Sequence, residues 1–278
     1  MLKLSELSEQ DAPDSIKTIY EEIRFCTRAP MVALIYRHLA TRPGVLQWAW
    51  GALVPIMYSG DLPDSAREMV SVASYPNIEP LPGEELRALG LFNVDVHAIR
   101  YVIAAYYAAN PCNILATLCL IKILKESLKF PVNNKNLSHP IIPDLNMSLP
   151  VMPPMLDTSL LPKEVLSLRP KKALSVGLVP SLYRHLGHWP NWLKVVSEKS
   201  LIQIYESGEV EKYANELLLA AEKRVEVLLS KTKKFNGNDG RPLGRESESL
   251  CKTLEAFVET IPTLIVVGEV FRNTLSKH

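Results

Sequence analysis

Ser181, His185 and Asn110 supply a hydroxyl, an imidazole and a carboxamide, each set in an otherwise apolar run, and these are groups that do chemistry. His185 follows Leu182 by three residues, a spacing that puts both on one helix face, and an imidazole near neutrality is able to act as a general base. His38 stands in the same local setting earlier in the chain, so a structural role common to both histidines is the stronger expectation. Asn110 precedes Pro111, a good N-cap and N1 pair for a following helix, and that competes with a role in orienting substrate or water. Asp157, followed by Thr158 and Ser159 before Pro162, has the composition of a helix start. Glu216, Glu222 and Glu226 lie on a predicted helix over 208–231 whose apolar face carries Tyr213, Leu217, Ala221 and Leu228, so a solvated charged face explains them.

Other chemistries find little support. The four cysteines, Cys26, Cys112, Cys119 and Cys251, form no CxxC pair, which favours reduced core thiols over a zinc site. Asn236-Gly237-Asn238-Asp239-Gly240 lacks both Walker spacing and a preceding strand, so it reads as a turn. No metal or cofactor is expected. Thirty-one basic against thirty acidic residues leave a net charge of +1, with no concentration of Lys and Arg to neutralise phosphates, which argues against nucleic acid. The first residues, MLKLSELSEQDAPDSIK, lack the apolar core of a signal peptide. No segment approaches the roughly 20 uninterrupted apolar residues of a membrane span, so a cytoplasmic protein without membrane contact is expected.

The elements that must position these groups are helical. Ile16, Ile19, Tyr20 and Ile23 form one apolar stripe on a helix ending before Pro30. A short helix is predicted over 31–40, placing Met31 and Leu34 on one face, and a Trp-rich helix over 45–58. Ser65 with Glu68 reads as a capping box that opens a helix toward Ala73, and 82–89 as a short helix closed by Gly90. Val96, Ile99, Ile103 and Tyr106 mark a helix over 94–109, which Asn110-Pro111 breaks before another runs to Phe130. Residues 131–154 are rich in proline without helical period and read as an extended linker.

Beyond that linker two segments repeat the first half. Residues 34–43 align with 181–190, sharing Tyr-Arg-His-Leu and a later Pro, at the spacing of 147 residues that separates Tyr36 from Tyr183. Ala105, Tyr106 and Pro111 align with Ala256, Phe257 and Pro262, at the 151 residues separating the two prolines. The expected architecture is therefore all-α, with two related helical repeats of about 130 residues each, a size suited to a domain, arranged as a pseudo-two-fold unit. The chain divides into residues 1–130, the linker 131–156 and residues 157–278. A groove between the units is the place to look for a small-ligand site.

Ile19-Tyr20-Glu21-Glu22-Ile23-Arg24, Arg28-Ala29-Pro30-Met31-Val32-Ala33, Leu39-Ala40-Thr41-Arg42-Pro43-Gly44 and Ala49-Trp50 resemble the group I 2-haloacid dehalogenases. So do Pro80-Leu81-Pro82, the run from Tyr107 to Pro111, Leu156-Asp157 and Trp189-Pro190, so the resemblance spans most of the chain. It implies an all-helical fold of two related units, often a homodimer, with a short 2-halocarboxylic acid held between them. In that family an Asp activates a water that displaces halide from C2 without an ester intermediate. The resemblance places this Asp directly after a Ser, where the present chain has Ser181 followed by Leu182. It also assigns Asn110 and Ser181 to the substrate site and sets Met31 and Leu34 where the family has an aromatic pair lining its pocket.

Leucine accepts no proton, and loss of a general base costs a factor of roughly 100 to 10,000 in rate. The expected function is therefore that of a haloacid-dehalogenase-family protein impaired at the bond-breaking step. The alternatives are a non-catalytic binder of a small carboxylic acid, or a structural or interaction protein whose pocket is closed by Met31, Leu34 and Leu182. The residues expected to bind substrate are Met31, Leu34, Asn110, Ser181 and Leu182.

Overall fold

The computed structural model describes residues 4–125, 152–161, 163, 166, 179–231 and 241–275. Among these every regular element is helical, in agreement with the all-α expectation. Most of the proline-rich segment and the Asn236–Gly240 turn lie outside the described residues.

Helix α1 (Asp14–Thr27) buries Ile16, Tyr20 and Ile23 and ends at Arg28, whose φ of 53° is left-handed. Helix α2 is short (Leu34–Leu39), and it does not reach back to Met31. Val32 is instead tied to neighbouring elements, its N–H donating to Glu9 Oε1 at 2.8 Å and its carbonyl accepting from Arg37 Nη1. Met31 and Leu34 therefore share no helix face, and they join different apolar clusters.

Helix α3 (Val45–Tyr58) follows the left-handed Gly44 and covers the predicted residues. Helix α4 (Asp61–Ser71) begins four residues before the predicted capping box; Gly60, at φ 81°, opens it, and Asp61 and Asp64 supply negative charge to its first turn. Helix α5 (Gly83–Ala88) is closed by the left-handed Gly90, as expected.

Helix α6 (Asn93–Lys125) is a single 33-residue helix that runs straight through Asn110-Pro111 instead of breaking there. A proline inside a helix costs about 3 kcal/mol. Here that cost is met by burial on all sides, because each residue from Ala109 to Ile121 is buried. Asn110 is consequently an interior helix residue and not an N-cap. By length and composition α6 would be long and apolar enough to cross a membrane, contrary to the sequence expectation, yet 78% of its most apolar window is buried inside the protein.

Asp157 caps the single 3-10 turn Thr158–Leu160, its Oδ1 accepting from the backbone N–H of Ser159 at 2.9 Å. Helix α7 (Ser181–Leu186) follows Pro180, and α8 (Pro190–Val196) carries Pro190 in its first turn. A π-helical turn (Ser197–Leu201) leads into α9 (Ile202–Glu206). The long α10 (Glu209–Lys231) has Glu216, Glu222 and Glu226 on its exposed face, as predicted, and α11 (Gly244–Thr274) contains Pro262.

Helices α6 and α11 pack along one another and thread both apolar clusters. One cluster gathers α1, α3, α4 and α10 around the C-terminal half of α6; the other gathers α5, α7, α8 and α9 around its N-terminal half. All four cysteines are free and buried, consistent with core thiols. Burial raises the pKa of Cys26, Cys112 and Cys119 to about 12, so none of these three is a thiolate at neutral pH.

Candidate functional site

All six residues of α7 are buried, and through them the second half of the chain meets α6 and the N-terminal segment. Two arginines, one from each Tyr-Arg-His-Leu string, organise this region. Arg37 on α2 donates from Nε to Glu6 Oε2 at 2.9 Å and from Nη2 to Ser181 Oγ at 3.1 Å. Arg184 on α7 donates from Nη1 to the other oxygen of the same carboxylate, Glu6 Oε1, at 2.7 Å, and from Nε to the Leu156 carbonyl at 2.8 Å. Burial alone would raise the Glu6 pKa, but the charges and hydrogen bonds of Arg37 and Arg184 outweigh it and hold the carboxyl below its ordinary range.

The backbone repeats one contact around each arginine. Leu7 N–H donates to the Arg37 carbonyl at 3.0 Å, and Leu156 N–H donates to the Arg184 carbonyl at 3.3 Å. The residues preceding these leucines cross over: Glu6 reaches Arg184 as well as Arg37, and Met155 Sδ lies 3.7 Å from Arg37 Nη2.

Tyr106, one turn before Asn110 on the same face of α6, places its hydroxyl 2.7 Å from His185 Nδ1. The same hydroxyl faces Ser181, Arg37 and Arg184, and burial pushes its pKa up. His185 is driven the other way, to about 3, first by burial and then by the positive charges of Arg37 and Arg184. It is therefore neutral at physiological pH and a weak base, with Nδ1 already engaged. His38 has a parallel role, its Nδ1 lying 2.8 Å from the Ser5 carbonyl. Both imidazoles tie a helix of the repeated string to a neighbouring element, which fits the structural role expected of them.

Ser181, Leu182 and Asn110 are buried close to this cluster, Leu182 at 1% exposure within the apolar cluster of α5, α7, α8 and α9. Asn113, one turn further along α6, buries its Oδ1 without a partner. Met31 belongs to the same cluster as Leu182, whereas Leu34 packs against the other one. Of the five predicted binding residues, Ser181 and Leu182 stand on α7, Asn110 on α6 and Leu34 on α2, with Met31 just before α2.

Sequence reasoning passed over Glu6, Arg37, Arg184 and Tyr106. The two arginines carried a visible signal, since both copies of the repeated string contain them. Glu6 carried none, as one acid in a segment of mixed polarity. Among the described residues no group of three or more His, Cys, Asp or Glu is placed to hold a metal.

No protein-family model matches the sequence. A configuration-inverting 2-haloacid dehalogenase of Alcaligenes xylosoxydans xylosoxydans is 30% identical over 239 residues, covering 80% of this chain and 77% of that protein. Solved structures of a D-2-haloacid dehalogenase share the fold: a mutant with D-2-CPA and a complex with L-LA each superpose with a TM-score of 0.74 at 15% identity, covering 98% of this chain and 96% of theirs.

Proposed function

Because this chain belongs to the 2-haloacid dehalogenase family, we propose that it receives a short 2-halocarboxylic acid beside α6 and α7 and hydrolyses its carbon–halogen bond slowly. In the direct reaction a water oxygen bonds to C2 as the carbon–halogen bond breaks, the halide leaves with the electron pair, and the water gives up a proton. That proton needs an acceptor. Leu182 occupies the position directly after Ser181 to which the resemblance assigns the base, and its buried hydrocarbon side chain accepts nothing. This single observation carries the reading of impaired turnover.

The neighbouring groups offer no ready replacement. His185 is a weak base whose Nδ1 is paired with Tyr106. Glu6 is held as a carboxylate by two arginines, so each of its oxygens already accepts a strong hydrogen bond. The second reading, a binder of a small carboxylic acid without turnover, is favoured by the positive charge that Arg37 brings to Ser181. The two-unit organisation of the family is supported by the paired contacts of Leu7 with Arg37 and Leu156 with Arg184. The family resemblance implies a homodimer, and the cytoplasmic location is proposed from the sequence expectation given above.

Halide release from 2-chloropropionate separates these readings. Wild type is expected to release halide slowly or below detection, and Leu182→Asp to release it at a rate higher by a factor of roughly 100 or more, the range a general base contributes. Fast release by wild type would sink the proposal of impairment. Silence from a folded Leu182→Asp variant would sink the proposal that the site still receives the acid in a reactive pose.

A further inference from the structure

Two side-chain pairs face each other where α7 meets α6. Ser181 and His185 stand one turn apart on α7, and Tyr106 and Asn110 one turn apart on α6, so each pair shares a face of its helix. Tyr106 reaches across: its hydroxyl lies 2.7 Å from His185 Nδ1 and faces the Ser181 hydroxyl. At the other end of the row Ser181 Oγ accepts from Arg37 Nη2 at 3.1 Å. The row thus runs from a buried cation through two hydroxyls to a neutral imidazole.

The cation decides which way the hydroxyl protons point. A guanidinium donates and never accepts, so one lone pair of Ser181 Oγ is committed to Arg37, and the field of that charge turns the hydroxyl proton away from it. The acceptor facing it on that side is Tyr106 Oη. A Tyr106 oxygen that accepts there sends its own proton on to His185 Nδ1, whose lone pair is free because burial and the two arginines keep the ring unprotonated. The opposite arrangement, with the proton on Nδ1, would turn the Tyr106 proton toward Ser181 and its guanidinium, against the same field.

We propose that His185, acting through Tyr106, is a positioning residue that fixes the Ser181 hydroxyl as a hydrogen-bond acceptor toward an incoming molecule. A hydroxyl has one proton and two lone pairs. With its proton given to Tyr106 and one lone pair to Arg37, Ser181 keeps a single lone pair, which suits a donor such as the attacking water and repels a carboxylate oxygen. The role rests on the reading that a 2-halocarboxylic acid is hydrolysed beside α7, and goes beyond it by assigning Ser181 to the water and not to the acid. Only hydrogen bonds are involved, and no proton changes owner.

Nuclear magnetic resonance of protein labelled with nitrogen-15 histidine reads the direction of the row without any turnover, because the shift of a ring nitrogen shows whether it carries a proton. In wild type at pH 7.5, His185, identified by the signals that disappear in His185→Gln, is expected to be protonated at Nε2 and bare at Nδ1. Tyr106→Phe is expected to abolish that preference and leave a mixture of the two tautomers. A proton on Nδ1 in wild type overturns the proposal, and so does a tautomer that Tyr106→Phe leaves unchanged. Halide release from 2-chloropropionate by Leu182→Asp reads the role of Ser181. Adding Ser181→Ala or Tyr106→Phe to it is expected to lower kcat about threefold to tenfold, the worth of one neutral hydrogen bond, with KM held within about twofold. Both together are expected to cost no more than either alone, since they act on one lone pair. A raised KM at unchanged kcat, or losses that multiply, overturns the assignment of Ser181 to the water. No halide release from a folded Leu182→Asp variant sinks the functional reading alone, and the tautomer then decides the relay.

Discussion

The Tyr106 hydroxyl lies 2.7 Å from His185 Nδ1, with the two rings 5.7 Å apart and inclined at 56°. The contact joins α6 to α7 and supplies a partner to His185 Nδ1. Replacing Tyr106 by Phe removes that partner while keeping the ring, and leaving one buried polar group unpaired costs about 1–3 kcal/mol. Tyr106→Phe is expected to lose stability in that range by urea titration. In a double-mutant cycle with His185→Leu the losses should fall short of additive, since the second change removes the group that the first left unpaired.

The same histidine sets the acid side of the stability profile. Its pKa falls from 6.5 to about 3 on folding, so the folded protein excludes a proton that the unfolded chain takes up. Its stabilising contribution is complete above pH 6.5 and drains away as the pH falls from there toward 3, at a limiting slope of about 1.4 kcal/mol per pH unit. His38, also lowered by burial, adds to the same slope, and Glu6 adds a further loss below its unfolded value of 4.5. Urea midpoints measured from pH 7.5 to 5 are expected to fall. His185→Gln, which keeps a polar partner for Tyr106 but does not titrate in this range, should lose a clear share of the slope; an unchanged slope would mean that His185 titrates as freely folded as unfolded.

Much of the fold was legible in the sequence because helical periodicity reports burial directly. Helices α1, α3, α5 and α10 lie close to where their apolar stripes, glycines and charged faces put them. The misplaced boundaries have one cause in common. At Pro111 and at Met31, local chemistry argued one way and the tertiary structure went the other: burial around α6 outweighs the proline, and Val32 bonds to Glu9 and Arg37 just before α2 begins. The site was legible in part. Ser181, Leu182 and Asn110 were visible through the family resemblance, and the repeated Tyr-Arg-His-Leu string contained the two arginines. That both arginines converge on Glu6, 31 residues before one of them and 178 before the other, is set by how the N-terminal segment lies across both strings, and no local pattern encodes it.

Gly187 closes α7 where no side chain fits. A Cβ built there would stand 2.7 Å from Leu161 Cδ2, 3.0 Å from Leu156 Cδ1 and 3.2 Å from the Tyr183 carbonyl oxygen. The two leucines flank the capped turn after Asp157, which Leu156 N–H ties to the Arg184 carbonyl. Gly187→Ala forces that turn away from α7 and is expected to cost about 1–3 kcal/mol, the usual range for overpacking. A variant as stable as wild type would show that the turn yields without strain.

Glu6 is the residue on which the buried arginines depend. Glu6→Ala leaves the guanidiniums of Arg37 and Arg184 buried together without their shared carboxylate, and breaking a buried pair from one side costs about 3–5 kcal/mol. Glu6→Gln keeps the shape and one carbonyl acceptor but not the charge, so it should fall between Ala and wild type. Urea titration at pH 7 gives the order wild type, Gln, Ala. Repeating it at high salt separates charge from packing: anions from solution offset part of the uncompensated charge left by Glu6→Ala and narrow its deficit, while a loss of packing alone leaves the deficit unchanged. A Glu6→Ala variant within about 0.5 kcal/mol of wild type, the range of an ordinary surface substitution, would mean that the N-terminal segment does not hold the two arginines together in solution.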